Sequence, residues 1–86
     1  MTSVTDKIRD VLREGGALPV DIATLGDTDD LYTAGLTSHA TVNLMLGLEE
    51  KFDIEFPDRL LRRRTFESIA AIRLAITELL DEKVAA

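Results

Sequence analysis

The chain has 86 residues and a mass of 9.5 kDa; 45% of its positions are hydrophobic, 5% aromatic and 30% charged, with one histidine and no cysteine or tryptophan. This length predicts one small domain, residues 1–86, without a second lobe. The composition excludes disulfides, thiolate metal sites and multi-histidine metal sites, so any thiol chemistry must come from a cofactor.

The net charge of −6 is unevenly distributed: residues 1–58 hold twelve acidic and four basic side chains, and residues 59–86 hold four acidic and six basic ones. Because an acidic surface repels nucleic-acid phosphates and anionic lipid, we expect protein partners with basic patches and no nucleic acid. The charged N-terminal segment does not resemble a signal peptide, and no apolar run is long enough for a membrane span. We therefore expect a cytoplasmic protein. We also predict that it is monomeric.

The first helix is predicted to begin after Ser3 or Thr5 and to end at Gly15-Gly16. Its apolar positions share one helix face and are Val4, Ile8, Val11 and Leu12. Residues 17–37 then show no sustained period. A loop of about 20 residues is unusual unless apolar side chains hold it in place. Six aliphatic residues are available for this: Leu18, Val20, Ile22, Leu25, Leu31 and Leu36.

The second helix is predicted from Ser38 to about Phe52, after a turn at Gly35. Its core stripe has the spacing i, i+4, i+8, with Thr41 and Met45 beside it. The stripe consists of Leu44, Leu48 and Phe52.

After Pro57, Asp58 is expected to cap a short turn through Arg59–Arg62, and Thr65 to cap the last helix. The face of that helix consists of Phe66, Ile69, Ile72, Ile76, Leu79 and Leu80. The one alternating segment, residues 52–56, has no partner strand. The prediction is an all-α four-helix bundle, with three main helices, one short helix, and a long loop between helices one and two.

The sequence supports neither a metal site nor a catalytic pair. Asp27 and Asp29 match the first two ligands of an EF-hand loop, but its sixth position is Tyr32 and its twelfth is Ser38. The acidic stretch is therefore interpreted as a solvated docking surface. His39 follows Ser38 at about 100° around the helix, so the two side chains do not face each other as nucleophile and base.

A basic cluster precedes the last helix and consists of Arg59, Arg62, Arg63 and Arg64. No aromatic residue is interleaved for base stacking, which argues against RNA binding. The cluster is interpreted as a solvated patch that an acidic partner can contact.

Ser38 follows a glycine-containing turn at the start of helix two. An anion esterified there would meet free backbone N–H groups and the positive end of the helix dipole. An N-cap serine occupies the same kind of position, so the residue chemistry alone leaves both interpretations open.

Helix two has more apolar surface than one buried face needs. The additional stripe consists of His39, Val42 and Leu46, and it is flanked by Asn43, Glu49 and Glu50. Val42 and Leu46 either complete the core or form an exposed strip for partner contact. His39 either contacts a partner or a phosphate, or is an exposed residue at the helix start.

The sequence around Ser38 resembles the phosphopantetheine helix of acyl carrier proteins. The most specific features are Gly35-Leu36 before Ser38 and the run Leu-Glu-Glu-Lys-Phe-Asp-Ile-Glu-Phe-Pro over residues 48–57. The resemblance spans nearly the whole chain. It implies that Ser38 is esterified by 4'-phosphopantetheine, whose thiol carries an acyl group as a thioester, and that the carrier contributes no catalytic residue.

Carriers of fatty-acid synthesis typically read Asp-Ser-Leu where this chain has Thr37-Ser38-His39. The sequence around Ser38 is more similar to that of discrete bacterial carriers, which receive an amino acid from a ligase resembling a truncated seryl-tRNA synthetase. This resemblance implies three partners: a phosphopantetheinyl transferase, an amino acid or acyl:carrier protein ligase, and a downstream acceptor enzyme. It also implies that helix two and the segment around Arg59–Arg64, which includes the predicted partner contacts Arg62 and Arg63, present the arm.

Two alternatives remain open at this point. One is a carrier for acyl groups of the fatty-acid, polyketide or nonribosomal-peptide type. The other is an unmodified acidic adaptor that docks through Val42 and Leu46.

Overall fold

The computed structural model describes residues 3–85, which contain three α-helices. They are α1 (Val4–Glu14), α2 (Ser38–Phe52) and α3 (Ile69–Ala85). Short 3-10 helices lie in the connections, at Ile22–Thr24, Asp58–Leu60 and Arg63–Phe66. No strand occurs in this part of the chain, and the all-α class is confirmed. The predicted short fourth helix takes the form of two 3-10 turns, which are common as brief connectors.

The predicted boundaries of α1 and α2 are confirmed, whereas both predicted caps after residue 57 are wrong. α1 begins after Ser3, whose hydroxyl accepts a hydrogen bond from the Asp6 N–H (3.0 Å). Asp58 is the first residue of a 3-10 turn rather than its cap. Thr65 lies inside the next turn, and Ser68 instead accepts the Ala71 N–H (3.0 Å) at the start of α3.

α1 packs against both other helices. The predicted apolar faces supply the core, apart from Val4 and Leu80, which are half-buried. The buried helical side chains are Ile8, Val11 and Leu12 in α1, Leu44, Leu48 and Phe52 in α2, and Ile69, Ile72, Ala75, Ile76 and Leu79 in α3. Burying each large aliphatic side chain contributes about 1.5–3 kcal/mol. None of the helices described is long and apolar enough to cross a membrane.

The long loop between α1 and α2 is anchored by apolar side chains, as expected. Four of the six predicted anchors are buried: Leu18, Ile22, Leu31 and Leu36. Leu25 is half-buried, but Val20 is 39% exposed and does not anchor the loop. Val20 directly follows Pro19, and both residues lie at the surface.

Polar contacts that the hydrophobic pattern does not predict also hold this loop. The half-buried Arg9 donates to the backbone carbonyls of Ile22 (3.0 Å) and Leu25 (2.9 Å), and to the Asp27 carboxylate (2.6 Å). The Asp27 carbonyl in turn accepts the Ala70 N–H (2.8 Å) at the start of α3. One side chain of α1 thereby holds the loop against the helices.

Arg9→Met is expected to lower the free energy of unfolding by about 2 kcal/mol, because it removes three charge-assisted hydrogen bonds while retaining most of the side-chain volume. Urea denaturation followed by circular dichroism measures the change. Arg13→Met is the matched control, since within residues 3–85 the exposed Arg13 forms an ion pair only with Asp10 (3.1 Å), and its removal costs about 0.5 kcal/mol or less. Equal effects of the two substitutions would contradict the anchoring role of Arg9.

Two cationic side chains hold the α2–α3 connection to α3. Arg59 pairs with Glu78 (2.7 Å) and Glu82 (2.7 Å). Lys83 donates to both the carbonyl and the carboxylate of Asp53 (2.8 Å each), the left-handed residue that ends α2. This contact keeps the pKa of the Asp53 carboxyl below its ordinary value. The connection therefore leaves α2 in a defined direction.

Candidate functional site at the start of α2

Ser38 is the first residue of α2 and is exposed, but it is not the helix cap. Thr37 takes that role: its hydroxyl accepts the Ala40 N–H (3.0 Å), and its carbonyl accepts the N–H (2.9 Å) and hydroxyl (2.7 Å) of Thr41. The N-cap interpretation of Ser38 is therefore wrong by one residue. Because Thr37 caps the helix, the Ser38 hydroxyl is not needed for capping.

In the turn before Ser38, the backbone of Gly35 lies close to the Pro19 ring. Gly35 has φ 118°, and a Cβ at this residue would lie 2.6 Å from Cδ of Pro19. Its N–H donates to the Tyr32 carbonyl (3.1 Å). The next residue, Leu36, is buried and donates its N–H to the Leu31 carbonyl (2.9 Å). The glycine turn and the buried leucine together determine where Ser38 meets the solvent.

The electrostatics at Ser38 favour an attached anion. The backbone N–H groups of Ser38 and His39, the first two residues of α2, have no carbonyl partner within the helix. The positive end of the helix dipole lies at the same point, and the first turn contains no acidic residue. A phosphate ester on Ser38 would be stabilised by both.

A groove with a volume of about 380 Å³ adjoins Ser38 and lies between α2 and the connection that precedes α3. Its lining is mostly apolar with two arginines: Tyr32, Ser38, Thr41, Val42, Met45, Leu61, Arg62, Arg63 and Phe66. The sequence did not predict Tyr32 or Leu61 at the site, because both reach it only through loop geometry.

Arg63 is held at the edge of this groove by Tyr32. Its guanidinium carbon lies 3.9 Å from the centre of the Tyr32 ring, and the Tyr32 hydroxyl donates to the Arg63 carbonyl (2.9 Å). Burial raises the pKa of the Tyr32 phenol above its ordinary value.

The structure divides the predicted basic patch. Arg62 and Arg63 line the groove, whereas Arg59 is paired with Glu78 and Glu82.

Val42 and Leu46 are each 52% exposed, so they do not complete the core. Leu61, 47% exposed, lies with Val42 along the groove. His39, the third residue of the predicted stripe, is also exposed. His39 and Asn43 line a second groove of about 690 Å³ between α1 and α2, and this groove also includes Glu14, Glu50 and Lys51.

Acidic side chains in α2 and in the long loop accept hydrogen bonds from backbone N–H groups. The Glu49 carboxylate accepts the Phe56 N–H (2.9 Å) and so holds the chain after α2. In the loop, Asp29 accepts the Gly26 N–H (2.8 Å), and Asp30 accepts the Tyr32 N–H (2.9 Å). These acids hold turns in addition to facing solvent, and the docking role of the loop stays a prediction. No group of three or more potential metal ligands occurs within residues 3–85.

The three helices, the long anchored loop and the exposed serine at the start of α2 define a carrier domain. Residues 4–75 match the family described as phosphopantetheine attachment site, and the chain belongs to this family. Within it, the chain is a homologue of aminoacyl carrier proteins: it is 54% identical over 79 residues to the aminoacyl carrier protein of Agrobacterium fabrum, covering 92% of this chain and 95% of the relative.

Solved structures show the same fold. One match is in the crystal structure of an engineered Bradyrhizobium japonicum glycine:[carrier protein] ligase complexed with carrier protein from Agrobacterium tumefaciens and ATP; it has a TM-score of 0.85 and 50% identity, and covers 88% of this chain and 99% of that chain. Another is the solution structure of an Agrobacterium tumefaciens protein, with a TM-score of 0.77 and 52% identity, covering 96% of this chain and 100% of that chain.

These comparisons confirm the resemblance to acyl carrier proteins and, more narrowly, to aminoacyl carrier proteins. Phosphopantetheine is the cofactor of the family, as expected, and the chain is a carrier rather than an enzyme. The site fits this group: an exposed hydroxyl, two helix N–H groups and two arginines lie where a phosphate ester and its arm would begin.

Proposed function

We propose that this protein carries an aminoacyl group as a thioester on a 4'-phosphopantetheine arm attached to Ser38. The observation that carries the proposal is the exposed Ser38 hydroxyl at the start of α2. Ser38 does not cap the helix, because Thr37 does. When bound, the arm supplies the thiol that this cysteine-free chain lacks.

The residues around Ser38 have separate tasks in this proposal. The N–H groups of Ser38 and His39 stabilise the phosphate through the helix end. Gly35 and Leu36 fix the position of the hydroxyl, since one allows the turn and the other is buried. The groove beside Ser38 receives the first part of the arm.

We further propose that a phosphopantetheinyl transferase, an amino acid:carrier protein ligase and a downstream acceptor enzyme all dock at α2. The Agrobacterium carrier protein complexed with a glycine:[carrier protein] ligase supports the ligase as a partner, and glycine as the first amino acid to test. The proposed contacts are Val42, Leu46, Arg62 and Arg63 near the groove, and His39, Asn43, Glu49 and Glu50 around them. As a substrate of these enzymes, residues 1–86 would act as one monomeric carrier domain in the cytoplasm, where coenzyme A and ATP are present.

Intact-mass spectrometry tests the proposal. Incubation with coenzyme A and a broad-specificity phosphopantetheinyl transferase is expected to add one phosphopantetheine to the wild type. Subsequent incubation with ATP, glycine and the ligase is expected to add one glycyl group. A folded sample that gains no arm would contradict the carrier function and favour the adaptor. An arm that accepts only fatty acyl groups would contradict the aminoacyl cargo.

Arg62→Glu is expected to lower kcat/KM for ligase-dependent loading about tenfold, because it reverses an exposed charge at the rim of the contact surface. The rate is measured on protein that already carries the arm. Arg73→Glu, at an exposed position on α3 away from the groove, makes the same change in net charge and serves as the control. If both variants load at the wild-type rate, Arg62 is not part of the interface.

A further inference from the structure

Tyr32 links the turn before Ser38 to the connection that precedes α3. Within the turn, its carbonyl accepts the Gly35 N–H (3.1 Å) and its N–H donates to the Asp30 carboxylate (2.9 Å). Its hydroxyl donates to the backbone carbonyl of Arg63 (2.9 Å), in the 3-10 turn at Arg63–Phe66. One side chain therefore contacts both the segment that leads to the attachment residue and the segment that contains the arginines.

A second contact joins the same two segments without the tyrosine side chain. The Leu31 N–H donates to the carbonyl of Glu67 (2.7 Å), which directly follows the 3-10 turn. The side chains of Leu31 and Phe66 are also buried in the core, whereas Tyr32 is half-buried. The Tyr32 ring is thus not needed to attach the connection to the fold, and its contact with the Arg63 side chain calls for another reason.

Arg63 is held by an aromatic ring rather than by an acid. Its guanidinium carbon lies 3.9 Å from the centre of the Tyr32 ring, which is a cation–π contact. The ion pairs within residues 3–85 use three other arginines, Arg9, Arg13 and Arg59. The face of a ring occupies none of the N–H donors of a guanidinium. Arg63 is therefore restrained in position while it keeps its donors for a carboxylate.

The surroundings of Arg63 indicate the kind of partner group that it fits. Arg63 is exposed and lies with Val42, Leu61 and Arg62 along a groove whose lining contains no acidic residue. This part of the proposed contact surface is apolar and positive, although the protein as a whole has a net charge of −6. The complementary surface on a partner is apolar with a carboxylate, and not the basic patch that the net charge predicts.

We propose that Tyr32 is a positioning residue, which holds the Arg63 guanidinium ready to bind a carboxylate of the amino acid:carrier protein ligase. This inference rests on the proposed function. A flexible arginine loses rotamer freedom when it docks, and a side chain that is already restrained loses less. The restraint is expected to strengthen the Arg63 contact about three- to tenfold. Because Tyr32 also belongs to the turn before Ser38, it fixes the docking cation relative to the attachment point of the arm.

A double-mutant cycle in ligase-dependent loading tests this role. Both kcat and KM for the carrier are measured with ATP and glycine in excess, on intact protein that already bears the arm. Arg63→Gln is expected to raise KM about tenfold and to leave kcat unchanged, because the contact is made on docking and not in the chemical step. Tyr32→Met removes the ring, keeps most of the volume and is expected to raise KM about fivefold. The double variant is expected to match Arg63→Gln at about tenfold, rather than reach the product of about fiftyfold.

Two controls separate positioning from a general loss of structure. Tyr32→Phe keeps the ring beside Arg63 and is expected to raise KM by less than about twofold. Arg62 lines the same groove but does not stack on the ring, so the effects of Arg62→Gln and Tyr32→Met are expected to multiply. Urea denaturation verifies that each variant is folded under the assay conditions.

A measurement on the wild type covers the case in which Tyr32→Met does not fold. The side-chain Nε–H of Arg63 is expected to show a higher heteronuclear NOE than that of Arg62, since only Arg63 stacks on the ring. Equal NOE values, multiplied effects of Tyr32→Met and Arg63→Gln, or a lower kcat with unchanged KM in Arg63→Gln would overturn the inference. Failure of the proposed function is separately visible, because the wild type would then gain no arm or no glycyl group by mass.

Discussion

Ser38→Ala is expected to abolish phosphopantetheine attachment while changing the free energy of unfolding by no more than about 0.5 kcal/mol. The hydroxyl is the proposed attachment atom, but the capping bond of α2 comes from Thr37 (3.0 Å to the Ala40 N–H). Alanine at the first helical position also has a high helix propensity. Intact mass after transferase treatment measures attachment, and urea denaturation measures stability.

Thr37→Ala is the matched control and is expected to show the reverse pattern. It removes the cap and should cost about 0.5–2 kcal/mol, yet it retains the Ser38 hydroxyl and the mass gain. Attachment to Ser38→Ala would show that the arm is elsewhere. A loss of stability in Ser38→Ala as large as in Thr37→Ala would show that the two residues share the capping role.

Gly35→Ala is expected to have the largest effect on stability, about 2–4 kcal/mol, or roughly 10 °C or more in Tm. Its φ of 118° is unfavourable for any side chain, and the added Cβ would lie 2.6 Å from Cδ and 2.8 Å from Cγ of Pro19. The Pro19 ring cannot rotate away, so the backbone must move. Because Gly35 lies three residues before Ser38, attachment at Ser38 should also slow.

Gly16→Ala separates the two causes of this loss. Gly16 also has a positive φ (60°), but its Cβ would meet no atom within 4 Å. This substitution should cost about 1–2 kcal/mol for the left-handed backbone alone and leave the rate of attachment unchanged. If the two variants are equally stable and equally modified, the close approach of Gly35 to Pro19 does not position the serine. Calorimetry and the initial rate of mass gain decide this.

The helices were predictable because each pairs a periodic apolar face with local end signals. The face Ile8, Val11 and Leu12 and the stripe Leu44, Leu48 and Phe52 are buried as predicted. The boundaries of α3 were harder, since Thr65 and Ser68 are both plausible caps. Thr65 lies inside the 3-10 turn at Arg63–Phe66, and Ser68 makes the capping bond instead. No periodicity in the sequence predicts such a turn.

For this protein, the sequence by itself determined the all-α class, the core faces and the absence of protein thiol chemistry, because composition and short-range periodicity carry that information. Ser38 became the candidate attachment residue only through the resemblance to acyl carrier proteins. Only the tertiary structure decided that Thr37 caps α2, that Val42 and Leu46 remain exposed, and that Arg9 holds the loop. It also placed Tyr32 and Arg63 beside Ser38. Apart from the Thr37 cap, which is a local bond to the Ala40 N–H, these features depend on contacts between residues far apart in the chain. The partners in those contacts are set by how the loop packs and not by local pattern.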